Sequence, residues 1–355
     1  MPQAQRGKRR QARLASDLTI LAVVGILLVA ALGAGGHSLY REFYGPSAFV
    51  QRYLDLLADG QAADALQVPG VAVDSTLLDK TGLEGSASEA LLRRASLAPL
   101  SDVKIISEVD DGGLYTVTVD YRAGRAEGTT TFLVEQDGWV GVTPNWRFAA
   151  SPLAEIDLTL RGAEQFSVNG FEIDRRQISV DGVDAEADAA LPLLVFTPGL
   201  YSVTVDTAIA STPGVSILAD SPLARTPVLV QAEPTTEFVK VVQERVTEFL
   251  NACATQEVLQ PTACPFGLEV QNRIASIPKW SIAQHPTITV VPDGSQWSIP
   301  ATEAIAHIDV DIRSLFDGRV ENLSEDVPFR LDGTVAILAD GRASIKVGSP
   351  DVDLD

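Results

Sequence analysis

Between Asp17 and Arg41 the chain carries no ionised side chain, and residues 18–36 are almost wholly leucine, isoleucine, valine, alanine and glycine. About 20 apolar residues rising ~1.5 Å each cover the ~30 Å hydrocarbon core of a bilayer. Lipid offers no partner to unpaired backbone amides, so such a stretch must be helical. The sequence therefore predicts a transmembrane helix over residues 18–40, with the lipid bilayer as its first partner. Residues 1–17 hold Arg6, Lys8, Arg9, Arg10 and Arg13 against one acid, Asp17. Positive flanks stay inside, which makes this a cytoplasmic basic tail and places everything after Arg41 outside the cell. The expectation is a single-pass cell-membrane protein with extracytoplasmic domains. A cleaved signal peptide competes with it, since Ala31-Leu32-Gly33 is a tolerable small-x-small site. Either reading exports the rest of the chain. Ala30 with Ala34, and Ala31 with Gly35, have the small-xxx-small spacing of a helix homodimer, a spacing also common by chance in alanine-rich segments.

Charge narrows the partners. The formal net charge is −20. Five basic residues against one acid leave +4 on the first 17 residues and −24 on the remainder. So acidic a body repels phosphate polymers, which excludes nucleic acid. Scarce lysine beside plentiful alanine and arginine fits a high-GC bacterial genome. The cysteines are two, Cys253 and Cys264. In an exported chain a lone pair defaults to a disulfide, and closing so short a loop stabilises by roughly 2–3 kcal/mol on the chain-entropy account. A redox pair would want two intervening residues rather than ten, and a zinc site would want four ligands where His285 and His307 alone remain available.

Periodicity divides the exported part into three. Residues 41–150 begin with a helix in which Phe49, Tyr53, Leu56 and Leu57 share a face and Gly60 is the stop. Ser86 and Glu89 stand at capping-box spacing ahead of another short helix. From Val103 the period becomes 2: Tyr115, Val117, Val119 and Tyr121 alternate with polar residues, and Asp137-Gly138 signals a hairpin. Residues 151–234 hold short apolar runs broken by glycine and proline, with no helical period. These are the marks of a small all-β sandwich. In residues 235–350 the first pattern returns. Phe238, Val242, Val246, Phe249 and Leu250 line a helix, 266–277 reads as a second helix, and strands follow at 287–291, 304–312, 327–338 and 343–347 around Asp340-Gly341. Residues 351–355 form an acidic tail. The predicted fold class is α+β: a transmembrane helix, then two helix-plus-curved-sheet domains flanking a β-sandwich.

Residues 46–148 resemble the cone-shaped domains of the nuclear transport factor 2 superfamily, in particular lumazine-binding-like variants. The likeness rests on the opening helix 49–57 with Gly60, Ala62 and Ala63, the strand 115–121, and Asp137-Gly138-Trp139. Residues 236–347 resemble a second such cone. The middle domain is similar to PEGA-type surface β-modules through Val168-Asn169-Gly170 and through Phe196, Pro198, Gly199 and Tyr201. The order of anchor, cone and β-module resembles that of teicoplanin-resistance-associated membrane proteins of the TcaA type, although the cysteine-rich zinc ribbon of those proteins is missing here.

Few residues suggest chemistry. His307, Asp309 and Asp311 alternate on one strand face, where mixed nitrogen and oxygen ligands suit a divalent metal or Asp309 could orient His307 as a base. The wet face of a half-buried strand explains the same pattern without any site. Tyr115, Tyr121 and Trp139 are candidates for a pocket on the concave side of the first cone, and core packing is the competing account. Phosphate loops, G-x-S-x-G and H-E-x-x-H are missing, and the residues call for no cofactor. The functional expectation is a non-enzymatic, membrane-anchored binding or scaffold protein of the bacterial cell envelope, with an envelope protein or cell-wall component as partner. A small-ligand carrier or sensor using a cone cavity is the alternative, and a hydrolase or isomerase on the cone fold is the next.

Overall fold

The computed structural model describes residues 23–24, 43–72, 81–141, 143–186, 188–294, 296–337 and 343–348. Apart from Val23 and Val24, which are helical and exposed, the helix expected over 18–40 lies outside the described residues, as do the two tails and the Asp340-Gly341 turn. Among the described residues no helix is long and apolar enough to cross a membrane. The single-pass architecture and the cell-membrane location are corrected to that extent: nothing among the described residues carries them, and the stretch they rest on lies outside those residues. The 19-residue helix Thr236–Ala254 is long enough, but Glu237, Lys240, Glu244, Arg245 and Glu248 make it amphipathic rather than greasy. The α+β class gives way as well, because the described chain is mostly β-strand. Contacts divide it into two compact units, 1–73 with 99–153 and 220–223, and 74–98 with 154–219 and 224–355.

In the first unit, helix α1 (Pro46–Ala58) opens with Pro46 in its first turn, where a missing N–H costs nothing. It ends at Gly60, whose φ of 69° lets the Gln61 and Gly60 amides donate back to the Leu56 and Leu57 carbonyls. A short helix α2 (Ala62–Leu66) follows. Strands β1 (Leu100–Asp111), β2 (Leu114–Ala123), β3 (Ala126–Val140) and β4 (Thr143–Phe148) form an antiparallel meander in sequence order. Period 2 explains the sheet: Val117, Val119 and Tyr121 are buried, and Val117 lies opposite Phe132. Onto this face α1 lays Phe49, Val50, Tyr53, Leu54 and Leu57. The intervening space is filled with rings, with Phe49–Phe148, Tyr53–Phe148 and Tyr53–Phe132 centroids 4.9, 5.1 and 6.0 Å apart. Gly70 straps the following loop to β4. A Cβ there would stand 2.3 Å from the Phe148 carbonyl oxygen.

The second unit begins as a sandwich. Strands β5 (Leu153–Arg161), β8 (Leu191–Phe196) and β12 (Arg225–Gln231) make one sheet in the order β12-β5-β8, with β12 parallel to β5. Strands β6 (Gln165–Val168), β7 (Phe171–Asp174), β9 (Gly199–Thr204) and β11 (Val215–Ala219) make the other. Helix α3 (Arg175–Ile178) and the two-residue strands β10 (Ala210–Ser211) and β13 (Glu233–Pro234) connect them. The capping-box stretch is two 3₁₀ turns, Glu89–Leu91 and Arg94–Ser96, rather than an α-helix. Its Ser88 pairs with β8 instead, accepting from the Leu194 amide and donating to the Pro192 carbonyl.

Helix α4 (Thr236–Ala254) is capped by the Thr235 hydroxyl, which accepts from the Phe238 amide at 3.2 Å. It packs on a sheet of β14 (Arg273–Ile274), β15 (Lys279–Gln284), β16 (Val291–Asp293), β17 (Gln296–Arg313), β18 (Val320–Ile337) and β19 (Ala343–Gly348). The stretch expected to be helical at 266–277 is extended and irregular. Its end pairs with β17 as β14, and Phe266 is anchored against Trp280 and Phe329, with centroids 5.0 and 5.2 Å away, rather than joining a helical stripe. Sandwich, α4 and β17–β18 share one core running through Leu158, Val195, Tyr201, Val246, Ile308 and Leu331.

Candidate functional site

The longest strand pair of the second unit carries a group of titratable side chains on one face. Residues 306, 308 and 310 of β17 are buried, so alternation turns His307, Asp309 and Asp311 to the other, wet face. Register sets Asp326, Ser324 and Asn322 of β18 opposite these three. His307 Nδ1 lies 2.7 Å from Asp326 Oδ1, and His307 Nε2 lies 3.2 Å from Ser324 Oγ. Asp309 Oδ2 is 3.6 Å from the same Nε2. Asp311 turns aside: its carboxylate accepts from Asn322 Nδ2 at 3.1 Å and its amide donates to Ser276 Oγ at 2.7 Å. His307 and Asp309 thus come together while Asp311 serves a separate clasp. Among the described residues no group of three or more histidine, cysteine, aspartate or glutamate side chains is placed to hold a metal ion.

Carboxylate, imidazole and hydroxyl stand in the order that would activate a serine nucleophile. The surroundings oppose that chemistry. The Asp326 and Asp309 side chains are 65% and 51% exposed, so water competes for every hydrogen bond. Asp309 also puts a negative charge beside the serine, where an oxyanion would have to develop. The group ties β17 to β18 across their wet face. Sequence reasoning missed Ser324 and Asp326 because 320–326 is polar and was not expected to be strand. The register of the hairpin is what finds them.

The aromatic candidates of the first unit do not converge. Tyr121 is buried, and burial pushes its phenol above the ordinary value, against a smaller lowering from Thr130. Tyr115 is half-buried, edge-on to Trp146 with centroids 5.1 Å apart, and Trp146 Nε1 donates to the Tyr44 carbonyl at 2.7 Å. Trp139 stands 64% exposed at the β3–β4 turn.

Two grooves are open and polar. One, of about 570 Å³, runs over β1–β3 between Asp102, Lys104, Asp120, Arg122 and Glu127, with Arg122 bridged to Asp102 at 3.2 Å. The other, of about 480 Å³, lies on β6, β7 and β9 among Gln165, Ser167, Glu172, Thr204 and Asp206. At its rim hydrogen bonds from Arg176 hold the Asp174 carboxyl below the usual range. Elsewhere in this unit Arg225 gathers Glu155, Asp157 and Glu84 at 2.9, 3.0 and 3.0 Å, pairing the fully buried Glu155. Cys253, at the end of α4, is joined to Cys264 in a disulfide.

No family model matches the chain, and no curated protein matches it. Among solved structures it aligns with one described as "Ntf2 like protein involved in plasmid conjugation", at 11% identity over 73% of this chain and 80% of that one. The TM-score of 0.15 is too low for that likeness to carry an argument.

Proposed function

We propose that this chain is a non-enzymatic, extracytoplasmic binding or scaffold protein of a bacterial envelope, acting through its outer surfaces on another protein. The observation that carries the reading is where its apolar side chains are spent. Inside, rings and aliphatic chains fill the space between helix and sheet in the first unit, leaving the Tyr53–Phe132–Phe148 cluster where a carrier would keep a cavity. Outside, Trp139 and Val140 stand 64% and 69% exposed in the first unit, and Leu315 and Phe316 stand 70% and 100% exposed in the second. Large apolar groups held in water at turns are what partner surfaces present. The disulfide supports an oxidising compartment. The distant likeness of 46–148 to nuclear transport factor 2 cones and of the middle segment to PEGA-type modules agrees with a binding role, and the solvated setting of His307 weighs against hydrolysis.

The test is photocrosslinking in intact cells from p-benzoylphenylalanine placed at Trp139 and at Phe316. A discrete captured protein that disappears when the probe is moved to a buried position is the expected result. No specific capture, together with tight binding of a metabolite by the purified chain, would reverse the order of the binding and carrier readings.

A further inference from the structure

The sheet of the second unit ends unevenly. Strand β18 pairs with β17 along almost its whole length, from Val320 opposite Arg313 to Val335 opposite Trp297. On its other side β19 covers only 332–337. Among the described residues nothing pairs with the outer edge of 320–331, a row of strand about 40 Å long at ~3.3 Å per residue. Every second residue of such an edge turns its N–H and C=O outward, which is a template for another strand. Proline at 328 removes one donor near the upper end and Val320 is the first paired residue of the strand, which leaves 321–327 as the working length.

Charge selects what can be added. Glu321, Glu325 and Asp326 are exposed along this row, two with the parity of the core face and one on the wet face. Of the nearby cations, Arg330 pairs with Glu303 at 3.1 Å and Arg319 with Asp317 at 3.3 Å, which leaves Arg313 at the lower end against three carboxylates. A second copy of this chain would bring the same carboxylates to the same edge, in a molecule of net charge −20. Acids on both faces instead suit a strand bearing lysine or arginine at successive positions. At the end of the row Leu315 and the fully exposed Phe316 offer an apolar foothold.

Resting on the partner-binding reading, we infer that the outer edge of β18 over 321–327 takes up an extended, basic segment of another polypeptide by strand addition. Main-chain hydrogen bonds to the edge supply affinity, the three carboxylates supply selectivity, and Phe316 anchors one end.

Fluorescence anisotropy with the full chain tests this, using a labelled ten-residue peptide in which pairs of lysines alternate with pairs of valines, so that lysines fall on both faces of the strand. Three comparisons accompany it: the same peptide with glutamate for lysine, the same peptide N-methylated at alternate residues, and a Glu321→Lys/Glu325→Lys variant checked for an unchanged circular dichroism spectrum. The basic peptide should bind, the acidic one should not, and N-methylation and the double variant should each weaken binding by about tenfold or more, the loss of one to two net hydrogen bonds or charge pairs. Equal binding of the N-methylated peptide would reduce the effect to diffuse attraction and overturn the proposal. So would an unaffected double variant, or no binding of the basic peptide. If these arms fail while Trp139 still crosslinks a discrete protein in cells, the strand-edge assignment falls and the partner-binding reading stands. If both fail, both fall.

Discussion

Replacing Tyr201 by phenylalanine tests the packing of the second unit with two independent readings. Tyr201 is wholly buried on β9, and its hydroxyl closes back on the chain. It accepts from the Phe196 amide at 2.9 Å and donates to the Phe196 carbonyl at 3.0 Å. Gly199 makes room for the ring, since a Cβ there would lie 2.8 Å from Tyr201 Cε2. The Tyr201→Phe change keeps the ring and strands a buried donor and acceptor, a cost of about 1–3 kcal/mol. The second reading comes from proton linkage. Burial pushes the Tyr201 phenol well above its ordinary value of 10.0. Below pH 10 the hydroxyl is protonated in both states and its stabilisation is complete. Above pH 10 the unfolded tyrosine ionises first, so the wild type loses about 1.4 kcal/mol per pH unit through this group while the variant does not. The stability deficit of Tyr201→Phe, from urea unfolding of the full chain at pH 9 and pH 11, should therefore shrink by about 1.4 kcal/mol. Tyr121, whose phenol is raised too, cancels in the difference. A deficit that stays the same at both pH values refutes the claim that the hydroxyl is sequestered in its folded contacts.

Two further substitutions address other supports. Removing the disulfide through Cys253→Ala with Cys264→Ala, a sequence separation of 11, should lower stability by about 3 kcal/mol on the chain-entropy relation; reductant should shift the wild-type unfolding midpoint to that of the variant and leave the variant unmoved. Asn169 has a φ of 50° and donates to the Ser96 and Leu200 carbonyls at 2.6 and 2.8 Å while accepting from the Ser202 amide at 3.0 Å. Asn169→Ala should cost about 2–4 kcal/mol by urea unfolding, and Asn169→Gly about 1 kcal/mol less because it relieves the left-handed backbone; equal losses would place the whole effect in the hydrogen bonds.

What could be read from the sequence was local, and what escaped it was register. Apolar residues at helical spacing marked α1 and α4, because an amphipathic helix announces its buried face whatever it packs against. Alternation marked β2, where Val117 and Val119 point inward and Thr116 and Thr118 do not. Neither signal says which strands become neighbours. The parallel pairing of β12 with β5 joins residues some seventy positions apart and left no mark in either segment. The polar start of β18 looked like loop because its strand character comes from pairing with β17, not from its own composition. The same ignorance of register hid the approach of Ser324 and Asp326 to His307. Residues 266–277 misled in the opposite sense. Their apolar groups share no helical face: Phe266 enters a ring cluster, while Ile274, paired in β14, and Ile277 stay exposed. The apolar run at 18–40 lies outside the described residues, among which the 19-residue helix α4 is amphipathic, with charges along its outer side.

Ring packing among the described residues also limits where recognition can occur. Once Tyr53, Phe132, Phe148 and Tyr201 have taken up the space between layers, admitting a small molecule would mean displacing side chains that each contribute on the order of 2 kcal/mol by burial. The grooves over β1–β3 and over β6, β7 and β9 are polar and wet, so a small ligand there would exchange one set of hydrogen bonds with water for another at little gain. A strand edge with no partner among the described residues differs, because its donors and acceptors are already held at strand spacing and a partner meets several of them at once without reordering the sheet. Carboxylates beside the edge disfavour strands of their own sign and favour cationic ones. The long overhang of β18 beyond β19 is therefore the feature whose removal should separate folding from binding: filling it with a covalently appended seventh strand would leave the sheet intact and abolish uptake of the basic peptide.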